Sequence, residues 1–480
     1  METSPVHLKS VNIKGYKNLR ATPIRFSGGL VPIALIGNNG SGKSNLIEAL
    51  THIFSGLFFD SPPEFDYHVS YVAHGKEVDI QKAGANVSIK VDGEDWSRSK
   101  FQKRIREVEA RPPFPSLLFG YYSGTCERLK KQFGRYSTSY SRRIQKNDAG
   151  LERQFVFADI DQAERVILGL IAHNHRTLLN SVNVRGINEA WLTLTSPPKF
   201  DREIDDPRFW GTKGAARDFL ADLGDTSEIV NERRVGKDES VDERTYRIDE
   251  AGLRRLGVML EKQSGNLLSM LEFLMKRKML KRIKFELTHI QSQSKFVYDS
   301  LSEGEKQLLA VIGGLTLSMQ DECLVLLDEP DTHLNPAWSW EYIDLLRTAL
   351  EENQQQNSTV LLATHDPIMI SGLQRHEVLM ATVDEAGKLS YKLPVRDPKG
   401  QGIANVLTSE YFGLPSSLDK PTQTKLNRRL ELAYKDKLDD DEREELGTIN
   451  EELKCLGLHI SFRDKLYGDY EKQRVEAART

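Results

Sequence analysis

Residues 31–54 read VPIALIGNNGSGKSNLIEALTHIF, and the stretch changes character twice. Its first six residues are a continuous apolar run of the buried-strand kind, while Leu46, Ile47, Leu50, Ile53 and Phe54 recur at helical spacing. Between them residues 37–44, GNNGSGKS, fit the pattern Gly-x-x-x-x-Gly-Lys-Ser/Thr. A strand that runs through a glycine-rich turn into a helix aims backbone N–H groups and the helix dipole at one point, where an anion is held. The pattern assigns Lys43 to the outer phosphates of a nucleotide and Ser44 to a magnesium ion. A glycine turn capping an ordinary helix is the bland alternative, and the flanking strand and helix count against it.

Outward from this stretch, residues 8–18 alternate like an edge strand, and residues 64–94 alternate with Gly75 and Gly93 at turns, as antiparallel hairpins do. A short polar helix near 98–109 follows, and residues 112–125 end in an apolar strand and a Ser-Gly turn. Residues 1–125 therefore read as a first lobe. Residues 126–290 show no chemical motif, only helices near 160–183 and 248–282 around a charge-mixed stretch at 225–247, and read as an inserted α-rich coupling region. Residues 291–400 form a second lobe, with buried strands at 323–327 and 359–363 and a hairpin across Gly387. Residues 401–480 are helical: Leu446, Ile449, Leu453 and Leu456 share a face, and Gly457 caps it.

Residues 323–329, CLVLLDE, place two carboxylates at the C-terminal end of a central strand, the edge where open α/β sheets bind ligands. Asp328 is suited to holding Mg²⁺ and Glu329 to polarising an attacking water. Upstream, residues 301–305, LSEGE, put Ser302 and the amide of Gly304 at a helix start, with Glu305 completing a capping box. PDTHLNP follows Glu329, and STVLLATH ends a strand on His365.

LSEGE followed by Lys306 and Gln307 closely resembles the signature motif of ATP-binding cassette (ABC) proteins. PDTHLNP is similar to their D-loop, and His365 falls at their switch histidine. The resemblance covers residues 8–60 and 296–384, split by an insert as in the chromosome-maintenance (SMC), recombination-mediator (RecF) and double-strand-break repair ATPases. DEPDTHLNP and ATHDP are most similar to the ATPases of defence and overcoming-lysogenization (OLD) systems. The implied fold is an α/β ABC-type ATPase head, a mixed sheet with flanking helices and an antiparallel β subdomain, plus a C-terminal helical region. Implied cofactors are ATP and Mg²⁺. ATP contacts fall on Gly37, Asn38, Asn39, Gly40, Ser41, Gly42, Lys43, Ser44 and Asn45. In a head-to-tail sandwich of two protomers, Ser302, Gly304, Glu305 and Asp331 complete the partner's site, while Ser44 and Asp328 hold the metal and Lys43, Glu329 and His365 act on the γ-phosphate. For the Q-loop glutamine the sequence offers Gln81 or the YYSG turn from Tyr121 to Gly124.

From Gly402 onward the chain resembles the ATPase subunit of Septu-type antiphage systems. That implies a homo-oligomer built from dimers, a hexamer among the options, and a separate HNH nuclease as partner. A recombination or chromosome-maintenance ATPase, and an ATPase working with a toprim nuclease, are the alternatives. A self-contained toprim nuclease is disfavoured, because Asp439–Asp441 read as a helix start rather than a strand end. The expected docking surface is the C-terminal helices to Tyr470, with Phe462 and Tyr467.

The totals restrict the rest. With 66 Lys plus Arg against 70 Asp plus Glu, the net charge of −4 gives no global attraction to nucleic acid, so any contact must be local. Two basic clusters are candidates: one from Arg128 to Lys146, where Arg135, Arg142 and Arg143 interleave with Tyr136 and Tyr140, and one from Lys276 to Lys284, whose bland reading is a solvated helix face. Cys126, Cys323 and Cys455 form no CxxC pair, which argues against a zinc site or a disulfide framework. No apolar run approaches a membrane span, so the expectation is a cytoplasmic protein without membrane contact.

Overall fold

The computed structural model describes residues 7–26, 32–38, 40–106, 111–124, 128–145, 153–198, 206, 208–235, 241–263, 265–320, 322–352, 358–384, 388–435 and 437–458. Strands β1 (His7–Tyr16) and β2 (Leu19–Arg25) form a hairpin, and β3 (Pro32–Ile36) leads through the glycine turn into helix α1 (Lys43–Phe59). A meander follows: β4 (Asp66–Ala73), β5 (Lys76–Ala83), β6 (Asn86–Val91) and β7 (Glu94–Trp96). These join the first hairpin in an antiparallel sheet of order β2-β1-β4-β5-β6-β7. The expected edge strand β1 is thus internal, bonded to β2 on one side and β4 on the other. Short helix α2 (Arg98–Arg104), capped by Ser97, precedes β8 (Leu117–Tyr122), α3 (Arg128–Gln145) and β9 (Phe155–Ala158).

The inserted stretch holds α4 (Ala163–Ala172), α5 (Arg176–Ser181), β10 (Val184–Thr195), α6 (Ala215–Thr226), β11 (Glu228–Val235), β12 (Val241–Asp249), α7 (Glu250–Glu261), α8 (Leu267–Lys276), β13 (Leu280–His289) and β14 (Lys295–Val297). Helices α4, α5, α7 and α8 fall within the stretches 160–183 and 248–282, whereas α6 lies outside both and the last residues of the second stretch already belong to β13. The helices are accompanied by a five-stranded antiparallel sheet, β11-β12-β10-β13-β14, which the sequence reading lacks. One face of that sheet is apolar, with Leu192, Leu194, Tyr246, Ile248, Ile283 and Phe285 buried. Helices α6, α7 and α8 are its neighbours. Two corrections follow. The basic run from Lys276 to Lys284 is a helix end, a turn and a strand rather than a helix face. Tyr136 and Tyr140 are 3% and 4% exposed and stack on each other, with Tyr136 also on Phe155, so they belong to the core and have no free ring face for a base.

The second lobe opens with α9 (Glu303–Leu308) and α10 (Gly314–Ser318), joined by a wide π-turn over Leu309–Gly313 that lies in the core. Strand β15 (Cys323–Asp328), α11 (Pro336–Glu352), β16 (Thr359–Ala363), short α12 (Pro367–Ile370), β17 (Val378–Val383) and β18 (Leu389–Lys392) follow. The β17–β18 pair is the expected hairpin, although residues 385–387 with Gly387 lie outside the described set. All the apolar central strands meet in one sheet, β18-β17-β3-β16-β15-β8-β9, parallel except for its final hairpin. Its edge strand β9 comes from beyond residue 125.

Residues 1–406 and 407–480 are separate compact units. After α13 (Ile403–Thr408), the second unit contains α14 (Lys420–Ala433) and α15 (Asp440–Cys455), which bury Leu432, Ile449 and Leu453 between them. Asp439 caps α15 with Glu442, and Gly457 adopts the left-handed conformation that ends it. Phe462, Tyr467 and Tyr470, named above for docking, lie outside the described residues, and Leu456 from the expected apolar face is exposed.

Candidate functional site

Register in the parallel sheet fixes the site. Asp328 pairs with Ala363 on one side and Tyr122 on the other, and Ala363 pairs with Leu35. The four strands therefore end level, and the glycine loop, Glu329, His365 and the turn at Ser123 leave the same edge.

The loop is held from several sides. Gly42 has φ +89°, a left-handed conformation that glycine adopts without strain. A Cβ at Gly37 would stand 2.4 Å from the Ala381 carbonyl oxygen, so β17 closes the back of the loop. Tyr391 on β18 donates its hydroxyl hydrogen to the Gly42 carbonyl at 3.1 Å. Asn18, in the β1–β2 turn, donates to the Gly40 carbonyl at 2.8 Å and accepts from Asn45 Nδ2 at 2.8 Å. Asn45 thus braces the loop from within, and Asn39 lies outside the described residues. Neither Asn18 nor Tyr391 belongs to a motif, and a single sequence carries no signal for them.

Lys43 is 6% exposed and bonds the Gly37 and Asn38 carbonyls at 2.7 and 3.4 Å. Burial lowers its pKa, opposed by the charges of Glu329 and Asp328. Ser44 donates to Asp328 Oδ1 at 3.0 Å. Burial pushes the Asp328 carboxyl up to about 7, with the Ser44 hydrogen bond pulling the other way. Glu329 follows in a left-handed conformation, φ +50°, and its carboxylate lies 3.5 Å from His365 Nδ1. Ser41 Oγ is buried with no hydrogen-bond partner.

Asp331 was expected to reach across to a second protomer. Here its side chain is 7% exposed and accepts from Thr364 Oγ1 at 3.0 Å, next to His365. Burial pushes its carboxyl up to about 6. Ser302, Gly304 and Glu305 make no hydrogen bond or ion pair to the glycine loop among the described residues. They cap α9: Ser302 Oγ accepts from the Glu305 N–H, while Glu305 Oε2 accepts from the Ser302 N–H at 2.7 Å and its hydroxyl at 2.9 Å. A Cβ on Gly304 would stand 2.6 Å from the His333 carbonyl oxygen, so only glycine lets α9 lie against the 331–334 turn. Fully buried Gln307 bonds the Pro330 carbonyl, tying α9 to the acidic strand end. Of the Q-loop candidates, Gln81 lies within the antiparallel sheet, paired with His68 and Ser88. The YYSG turn instead reaches the site, where the Ser123 N–H bonds the Asp328 carbonyl at 3.2 Å.

A family model described as "AAA domain, putative AbiEii toxin, Type IV TA system" matches residues 104–371, more than half of the chain, and one described as "AAA ATPase domain" matches residues 7–152. The chain is 30% identical over 125 residues to a Septu protein PtuA of Bacillus mycoides, a match covering 24% of this chain and only 17% of that protein. A retron Vc95 probable ATPase of Vibrio cholerae is 20% identical over 445 residues, covering 85% of this chain and 79% of the relative. A DNA replication and repair protein RecF of Pasteurella multocida is 33% identical over 99 residues, 18% of this chain and 27% of that one. Among solved structures, an Smc head bound to the C-winged helix domain of ScpA aligns with TM-score 0.36 and 14% identity over 81% of this chain and 98% of that one. Among the described residues, no helix is long and apolar enough to cross a membrane. The chain belongs to the family of this AAA domain and is an ATPase of the AAA/ABC type, related to Septu PtuA and RecF.

Proposed function

We propose that the chain binds and hydrolyses MgATP at the glycine-loop edge, does so in a head-to-tail pair of protomers, and uses the nucleotide state to govern a separate HNH-type nuclease in antiviral defence. The convergence of Lys43, Ser44, Asp328, Glu329 and His365 at one sheet edge carries the first part of this reading. The residues fit the cofactors: the unpartnered Ser41 hydroxyl and a buried carboxylate facing the Ser44 hydroxyl are groups that a phosphate and a cation would satisfy. Lys43 would bind phosphate oxygens in place of the loop carbonyls it now bonds. Ser44 and Asp328 would hold Mg²⁺, which when bound screens phosphate charge. Glu329, half exposed beside His365, would orient water and accept its proton. Binding of nucleotide can act on a nuclease only through contacts that differ between the two states.

The expected result for Glu329→Gln is retained ATP binding with turnover lowered by about 10² to 10⁴. Phosphate release at the wild-type rate would remove Glu329 from the role. The defence reading draws on the PtuA and retron ATPase similarity. Co-purification of the tagged chain with a neighbouring HNH protein, dependent on ATP, is the result expected. The RecF similarity supports a second reading, a DNA-repair ATPase. That reading predicts loss of damage tolerance, rather than of phage resistance, when the gene is deleted.

A further inference from the structure

Along β10 Ala190, Leu192 and Leu194 are buried while Trp191, Thr193 and Thr195 are only partly so. Along β13 Ile283, Phe285 and Leu287 are buried while Arg282, Lys284 and Glu286 are exposed. Among the described residues one face of the five-stranded sheet is therefore the less covered one, and its composition is not that of an ordinary solvated surface. Cross-strand pairing sets Trp191 on β10 directly between Arg247 on β12 and Lys284 on β13. The next row on the same face sets Thr193 between Thr245 and Arg282, with the two threonine hydroxyls 3.1 Å apart. Directly paired residues in such a sheet have their Cβ atoms about 5 Å apart, so the Arg247 and Lys284 side chains leave the backbone on either side of the half-buried Trp191. Several carboxylates share the face and are already engaged: Glu228 and Glu189 hold Arg247, Glu243 holds Arg233 and Lys281, and Glu286 holds Lys295. Arg282 and Lys284 are exposed and have no ion pair among the described residues. Lys276 and Lys278 at the entry to β13 are exposed too, with Arg277 between them partly buried, and none of the three has an ion pair among the described residues, so the free charge of this face and its rim is positive.

We infer that this sheet face, centred on Trp191 with Arg282 and Lys284, binds single-stranded nucleic acid. Unpaired bases need an aromatic face to stack on, and their phosphates need cations at regular spacing. Trp191 is partly exposed and stands on the less covered face. Arg282 and Lys284 are two residues apart on one strand, about 6.8 Å along it, and the turn at 276–278 continues the basic track past the sheet end. The threonine pair offers hydroxyls to bases or sugars. Duplex is a poorer fit, because its bases are already stacked and a flat sheet cannot enter a groove. The chain's overall charge of −4 is no obstacle, since binding here rests on a local patch. This site is independent of the ATPase reading, so it is tested on the full chain without nucleotide.

The test uses fluorescein-labelled 30-mers of oligo(dT) and oligo(U), and a duplex of the same length, in anisotropy titrations from 50 to 200 mM salt. Wild type should bind at least one single strand, and whichever of the two binds more tightly names the sugar preferred. Arg282→Glu with Lys284→Glu should weaken binding at least tenfold. A milder pair, Arg282→Gln with Lys284→Gln, should reduce the salt slope by about 1.4, at roughly 0.7 per phosphate contact. Trp191→Ala should weaken binding severalfold and Trp191→Phe should largely restore it, a rescue that a general folding defect would not give. ATP turnover should be unchanged in all of them, which checks that the chain still folds. No binding of either single strand by wild type, unchanged affinity in the charge-reversed pair, or equal duplex binding indifferent to Trp191 would each overturn the assignment.

Discussion

Helix α1 begins on a left-handed Gly42 with no side chain capping it and no acid in its first turn, whereas α9 begins on Ser302 with a complete capping box and two glutamates in its first turn. Both starts expose backbone N–H groups that need an acceptor. In α9 the acceptors are its own Ser302 and Glu305 side chains. In α1 no side chain supplies one, so the free N–H groups and the dipole remain available to an anion. The first site is therefore built to bind phosphate within one chain. At the second, the Glu305 carboxylate already takes the Ser302 N–H and hydroxyl, and a phosphate arriving from another protomer would have to compete with it for them. In the head-to-tail pair proposed above, that asymmetry would suit a switch: loading one protomer would be easy, and closing two together would carry an extra local cost.

Four experiments would break or sharpen this contrast. Lys43→Ala should cost the most, lowering ATP affinity on the order of 10² or more in an equilibrium titration with labelled nucleotide, because a buried charge-assisted contact to the phosphates is lost. Unchanged affinity would mean the uncapped helix start is not the nucleotide site. Next, mixing inactive Lys43→Ala and Ser302→Arg chains should restore turnover to a sizeable fraction of wild type, since a mixed pair assembles one intact site. No rescue in verified mixed pairs would confine α9 to its structural cap.

The third concerns Asp328. Its carboxyl rises from 3.8 to about 7 on folding, so the nucleotide-free chain loses stability as pH climbs through about 7 and keeps it in full below about 3.8. Asp328→Asn removes that loss. Its melting temperature should gain on wild type by a few degrees between pH 5 and 8, and Mg²⁺ should narrow the gap by binding the ionised wild type. A constant difference across that range would contradict a buried, titrating carboxylate. The smallest effect is expected from Glu305→Ala, which breaks one half of the α9 capping box and should lower stability by about 1 kcal/mol in denaturant titrations. If Glu305 obstructs closure, the same change should tighten ATP-dependent pairing measured by sedimentation.

Strands β3 and β15 and the helix after the glycine loop were legible because their patterns are forced: a strand buried on both faces must be apolar throughout, and a phosphate loop needs its glycines in order. The proximity of Lys43, Ser44, Asp328 and Glu329 follows from the same two motifs. The insert's sheet was harder. All but the last residue of β11, EIVNERRV, are exposed, so it shows no alternation to detect. Strand β13 does alternate, with Ile283, Phe285 and Leu287 inward, but its basic residues draw the eye to a charged helix. In α3 the reverse holds. Leu129, Phe133, Tyr136, Tyr140 and Ile144 recur at steps of three and four and are all buried, so spacing marks the tyrosines as core although their basic neighbours suggest a nucleic-acid face. Asn18 and Tyr391 were invisible because their value lies in contacts with residues far away in the chain.

That last distance bears on how the protein is made. The Tyr391 hydroxyl reaches Gly42 across 349 residues, and Ser44 meets Asp328 across 284. At a synthesis rate of 5–20 residues per second, the glycine loop leaves the ribosome roughly 20–70 seconds before its last brace. Until then the loop lacks its neighbouring strands β15 and β16 and the backing of β17 and β18. A nascent chain therefore cannot complete a nucleotide pocket early, and ATP cannot select a half-made fold. The order of synthesis itself withholds the completed loop until both lobes exist.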